Sequence, residues 1–131
     1  MADSEATIYA EKLCETVDVP EPNNLVQGSC IAADIKLLTA GEYKCGELLM
    51  SSGNNEFVTA TAAGIASAEE LCLLTRDIEI PEGSVAIVCG YFEGTFSASS
   101  VVLSYETEEN NHDTLIEAIR LPLRVKGIYL V

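Results

Sequence analysis

The sequence predicts a mainly β domain with one short helix near its C-terminal end and an acidic arm at its N-terminal end. Three observations carry that prediction. From Leu25 onward, short apolar runs alternate with turns rich in glycine, asparagine and proline, which is the punctuation of a β chain. The stretch Ile87 to Leu103, IVCGYFEGTFSASSVVL, reads as two β-runs joined by a glycine turn, with Tyr91, Gly94, Thr95 and Phe96 at its centre. Only the segment from Asp113 to Leu121 combines capping residues with apolar positions at helical spacing.

Residues 1–26 form the arm. Six acids (Asp3, Glu5, Glu11, Glu15, Asp18, Glu21) stand there against one base, Lys12, and the zone closes around Pro20-Glu21-Pro22-Asn23-Asn24. Thr7 to Cys14 has some strand character, while the prolines deny ladder hydrogen bonds and mark a linker. Two readings stay open. The arm is either a frayed, solvated terminus or a strand that adds to the edge of a partner's sheet.

Residues 27–131 form the β-rich domain. Ile35 to Leu38 is a strand, turned at Thr39-Ala40-Gly41-Glu42, where glycine makes a positive φ inexpensive. Cys45 to Met50 is a second apolar run, Ser51-Ser52-Gly53-Asn54-Asn55 a strong turn, and Glu56 to Ala60 the next strand. Ala60 to Ala68 is rich in small residues, and Ser67-Ala68-Glu69-Glu70 has capping-box spacing that predicts a helical turn near 68–72. Leu71 to Ile80 alternates in its second half, before Pro81-Glu82-Gly83-Ser84 turns the chain. The helix at 113–121 begins beside Asn110, Asn111 and Asp113, pairs Thr114 with Glu117 at capping-box spacing, and is stopped by Pro122. Lys126 to Val131 reads as a last strand tucked into a sheet or an interface.

Composition narrows the function classes. With 131 residues the chain is one domain plus an arm, large enough to bury a core without staples. It is 48% hydrophobic with a mean hydropathy of +0.22, which predicts that part of its surface is covered by other subunits. No apolar run approaches the roughly 20 residues of a membrane helix, so no membrane span is expected. The start MADSEATIYAEK lacks a basic region and an apolar core, so no export signal is expected either. The formal charge of −14 argues against direct contact with nucleic acid, which needs clustered lysine and arginine. Arg120, Arg124 and Lys126 lie near a helix end and suit its C-terminal dipole. The five cysteines, at 14, 30, 45, 72 and 89, show no C-x-x-C and are read as reduced thiols of a cytosolic protein.

No chemistry stands out. His112 beside Asp113 is the one acid/base pair, and it sits in a polar turn without an oriented nucleophile. A single histidine and scattered acids give no metal spacing, and glycines occurring singly form no phosphate cradle. No catalytic residue, cofactor or metal ligand is therefore assigned. Tyr9, Tyr43, Tyr91, Tyr105 and Tyr129 are read equally as interface anchors or as ordinary sheet residues.

The order of four pieces resembles the head decoration proteins of tailed phages, the family of the lambda capsid decoration protein. They are Leu37-Leu38-Thr39-Ala40-Gly41-Glu42 with Lys44 to Met50; Cys72-Leu73-Leu74 leading to Asp77; Tyr91 to Phe96, Y-F-E-G-T-F, with Val102-Leu103; and Gly127-Ile128-Tyr129-Leu130. Together they span about Leu37 to Val131. The resemblance implies a small β-clip-like barrel that sits as a homotrimer on the outside of an icosahedral head and clamps major capsid protein subunits. It implies an outer-capsid location in the virion, after synthesis in the host cytoplasm, and no enzymatic activity. It also implies that the arm orders against the capsid, which singles out the arm's apolar residues Ile8, Tyr9, Leu13, Val17 and Val19. This arm is longer, more acidic and more proline-interrupted than the family pattern. The alternative is a small cytosolic β-barrel binding module for a peptide or small ligand; a hydrolase or transferase using His112 is a distant third.

Overall fold

The computed structural model describes residues 25–107, 109 and 111–131. The arm residues Ile8, Tyr9, Leu13, Val17 and Val19 lie outside that range. Eight strands run in chain order: β1 (Val26–Leu37), β2 (Gly41–Tyr43), β3 (Leu48–Gly53), β4 (Glu56–Thr59), β5 (Leu71–Leu74), β6 (Ile78–Ile80), β7 (Ala86–Phe96) and β8 (Ile128–Leu130). Between them lie a helical turn α1 (Ala62–Ile65), a 3-10 turn (Ala98–Ser100) and the main helix α2 (His112–Val125). The protein is thus mainly β with one substantial helix near the C-terminal end.

The large sheet closes on itself. Its order is β1-β4-β3-β5-β7, and β7 pairs again with β1, so these strands form a ring, with β8 added to β7. The seam between β1 and β4 is short and parallel, with Lys36 opposite Glu56 and Leu37 opposite Phe57. The opposite seam is the long antiparallel ladder of β1 with β7. Because successive strand residues point to opposite faces, the ring has two apolar sides. Every ring strand contributes to one cluster: Ile35 and Leu37, Phe57, Leu49, Cys72 and Leu74, and Val88. That cluster is the interior, filled by side chains as a small barrel's must be. The ribbon of β2 with β6 brings Tyr43 and Ile80 against it. Space there is tight enough that a Cβ on Gly90 would stand 2.8 Å from the Cys72 sulfur.

The other side of β3, β5 and β7 carries Leu48, Leu71, Leu73 and Tyr91, and the last third of the chain covers it. Ile116, Ile119 and Leu123 of α2 fall on one helical face and pack there with Ile128 and Leu130 of β8. The helix starts where Asn111 Oδ1 accepts the Thr114 amide at 3.0 Å, as the capping residues predict.

Three expectations are corrected. The stretch 87–103 is no hairpin: β7 runs unbroken to Phe96, and Gly94 lies inside it at φ +145. Glycine is required there because β1 passes so close that a Cβ would meet the Ser29 carbonyl oxygen at 2.8 Å and the Cys30 Cβ at 2.9 Å. The residue marks an irregularity in the ladder, where the register shifts between Val26 and Cys30, and not a chain reversal. The main helix passes through Pro122 and ends at Val125. Proline removes one amide donor, but the carbonyl it orphans, on Ala118, belongs to an exposed residue, and fully buried Leu123 anchors the last turn. The helical turn lies at 62–65 instead of 68–72, because Thr61 Oγ1 caps the Gly64 amide at 3.0 Å. Ser51 and Glu70 instead bond to each other, Ser51 N to Glu70 O and Glu70 N to Ser51 Oγ, both at 3.0 Å.

The cysteines are also corrected in part. Cys30, Cys45 and Cys72 are thiols, but Cys89 is disulfide-bonded. Linear spacing hides such a pair, since a disulfide joins residues that the fold brings together.

Candidate interaction surface

The polar groups of the described residues are mostly committed to holding elements in place. Glu47, 5% exposed at the entry to β3, accepts from Thr59 Oγ1 at 2.8 Å and from the Lys44 amide at 3.2 Å. Its backbone forms a bridge with Val102, tying the strap after β7 to the ring. Burial, then the Glu47 charge, pushes the Tyr43 phenol above its ordinary value, and its hydroxyl donates to the Thr39 carbonyl at 2.7 Å. Asp77 Oδ1 accepts the Cys45 amide at 2.7 Å. Burial pushes the Cys72 thiol far above the usual range, with Glu70 adding to it, so it behaves as a small hydrophobe. Sequence reading missed Glu47; the signal was an acid interrupting the apolar run Cys45 to Met50.

His112 does not join Asp113 in a catalytic pair. Its Nε2 lies 2.7 Å from the Ala98 carbonyl oxygen and its Nδ1 3.2 Å from Glu106 Oε2. Burial alone would lower its pKa; the Ala98 carbonyl and Glu106, with Asp113 adding charge, outweigh burial and hold it above the ordinary 6.5. Both ring nitrogens therefore face groups that fix the fold. Among the described residues no group of three or more His, Cys, Asp or Glu side chains could hold a metal ion. No helix of the described residues is long and apolar enough to cross a membrane.

The basic trio divides. Arg124 lies in the last helical turn and Lys126 at the C-cap, where the dipole reading places them. Lys126 Nζ also donates to the Glu69 carbonyl at 2.7 Å. Arg120 is drawn elsewhere: it donates to Glu117 Oε1 at 2.8 Å and to the Leu130 carbonyl. Gly127 O, Val131 N and Val131 O bond toward β7 and the turn after it, so the alternate residue Leu130 turns its carbonyl to the free edge of β8. A cation seated there blunts that edge against further strand addition.

Among the outward-facing residues, exposed apolar side chains gather in three places. Ile87 faces outward on β7, and exposed Leu38 and Val85 lie one residue beyond the Leu37–Ala86 pair that ends the ladder. Val85 is 60% exposed. On α2, Leu121 and Val125 stand four residues apart on the outer face, Val125 at 75% exposure. Ile31 and Tyr129 flank a shallow groove floored by Gly94 and Gly127. Of the described tyrosines, Tyr43 and Tyr91 are core residues, whereas Tyr129 presents an exposed ring of the kind that anchors interfaces. In Y-F-E-G-T-F, Tyr91 and Phe96 stack in the core with centroids 5.3 Å apart, and Phe92 meets Phe57 edge-on at 5.6 Å.

No protein-family model matches the chain, and no curated protein matches it.

Proposed function

We propose that this chain is a head decoration protein of a tailed phage, which binds the outer surface of an icosahedral head as a homotrimer and stabilises it without catalysing a reaction. One observation carries the reading. Two of the four pieces of the family resemblance, Tyr91 to Phe96 and Gly127 to Leu130, are far apart in sequence yet pair as neighbouring strands. Gly94 lies opposite Ile128, Thr95 opposite Tyr129 and Phe96 opposite Leu130. Segments that resemble a family in sequence order are thus also one unit in space, with Tyr129 presented on its surface.

The exposed apolar sites on β7, α2 and β8 supply contacts of the kind a subunit buries against neighbours. Each contact is modest, but a trimer touches the shell at three linked footprints, which raises apparent affinity without any new contact type. In this reading the partner is the major capsid protein and the location is the outside of the virion. Of the rival, a small binding module for a peptide or small ligand, the small-ligand form gains nothing from the ring, whose interior is filled by Leu49, Phe57, Leu74 and Val88.

The test is binding of the purified full chain to expanded, empty heads assembled from its cognate major capsid protein, with sedimentation reporting its own assembly state. Saturable binding is expected. A folded chain that stays in solution would remove the proposal.

A further inference from the structure

The hydrogen-bond geometry at His112 goes beyond any shell-binding role. A backbone carbonyl and a carboxylate oxygen only accept, and a neutral imidazole has one N–H to give. Yet both ring nitrogens lie within hydrogen-bond reach of such acceptors, Ala98 O at 2.7 Å and Glu106 Oε2 at 3.2 Å. Only the doubly protonated ring satisfies both. The ring therefore joins three separate pieces of chain: the 3-10 turn after β7, the loop at Glu106 and the first residue of α2.

We propose that His112 is a pH-operated clasp: protonated, it holds the loop at Glu106 against the Ala98 turn; deprotonated, it keeps one of the two bonds and releases the loop.

The charged surroundings fit that role. Glu106 faces the ring from the loop, and from its own helix Asp113 adds an attractive charge. Glu117 and Arg120 line the same recess but are paired with each other at 2.8 Å. Ser99, Ile116 and Val131 line the rest with uncharged side chains, while the main-chain carboxylate at Val131 adds a negative charge, one oxygen accepting the Ala98 amide at 2.9 Å. The helix N-terminus disfavours a cation at its first residue, so the neighbouring carboxylates carry the balance. The direction of the coupling follows. A histidine whose pKa is raised in the folded protein contributes stability that is complete below the ordinary 6.5 and is lost as pH rises through the folded value.

Release has a defined limit. Val101 and Leu103 are buried, and Val102 exchanges bonds with the ring through its amide to Gly46 O at 2.9 Å and its carbonyl from Leu48 N at 3.0 Å. The strap to Leu103 stays seated. Loosening is confined to residues 104–107, where the Glu106 amide donates to Leu103 O at 3.1 Å, and to the opening turn of α2, where Leu115 N donates to Asn111 O at 3.1 Å.

The chain has a single histidine, so its imidazole resonance in proton NMR needs no assignment. The full chain is expected to show a midpoint above 6.5, and Glu106→Gln to lower it. Hydrogen exchange should show the Glu106 amide losing roughly three- to tenfold protection between about pH 5.5 and about pH 8, while core amides keep theirs. His112→Gln, which removes the titration with little loss of volume, should show the loosened loop at both pH values. A midpoint at or below 6.5, unchanged protection in the unmodified chain, or a pH response surviving in His112→Gln would each overturn the clasp.

Discussion

The interior of the ring and the layer between the ring and α2 are both built of buried apolar side chains, but they are closed in different ways. The interior is closed by the strands that form it, so each side chain there meets residues held by ladder hydrogen bonds on both sides. The outer layer is closed by segments that are not ring strands: the strap from Ser97 to Leu103, α2 and β8. One side is a property of the sheet; the other is a property of the last third of the chain. Local opening should therefore begin on the helical side.

The largest effect expected is from Phe57→Ala. Phe57 is buried at the short β1–β4 seam and touches Phe92, so the change costs about 3–5 kcal/mol in urea unfolding and lowers the whole transition. Leu123→Ala should cost about 2–5 kcal/mol, yet show its exchange loss first in α2 and β8, with ring amides protected. Equal loss in ring and helix would mean that the two layers form one cooperative unit, and the contrast would fail. Gly94→Ala, placed at φ +145 against the Ser29 carbonyl, is expected to cost about 1–3 kcal/mol and to disturb the β1–β7 ladder. Asn111→Ala, which removes the α2 cap, should cost about 1 kcal/mol by the same measurement. The smallest stability effect, within about 0.5 kcal/mol, is expected for the double change Val85→Asp with Ile87→Asp, because both side chains face outward. That pair should nevertheless abolish head binding if the face touches the shell.

The same division explains what was legible in the sequence. Turn chemistry is local, so the Ser51 to Asn55 turn was readable, and the structure adds that Asn55 takes a positive φ of 61 there. So were the strand at Ile78 to Ile80 and the α2 start at Asn111. The closing of the strands into a ring was not, because the β1–β4 and β1–β7 seams join residues whose pairing no local pattern encodes. Gly94 was misread because glycine serves a turn and a close strand approach equally well; only the position of Ser29 decides between them. Pro122 was misread because its cost depends on whether the orphaned Ala118 carbonyl reaches solvent, which spacing does not reveal. Of the surface, the tyrosines were named as candidates, but exposure alone separates Tyr129 from Tyr43 and Tyr91. Leu38, Val85 and Ile87 looked like any other strand residues until their exposure at the end of the β1–β7 ladder set them apart.

Co-sedimentation of the full chain with expanded empty heads tests the proposed role most directly. The account predicts saturable binding in multiples of three copies, lost in the Val85→Asp, Ile87→Asp variant although that variant melts as the unmodified chain does. A folded, monomeric chain that leaves the heads bare at saturating concentration would contradict it.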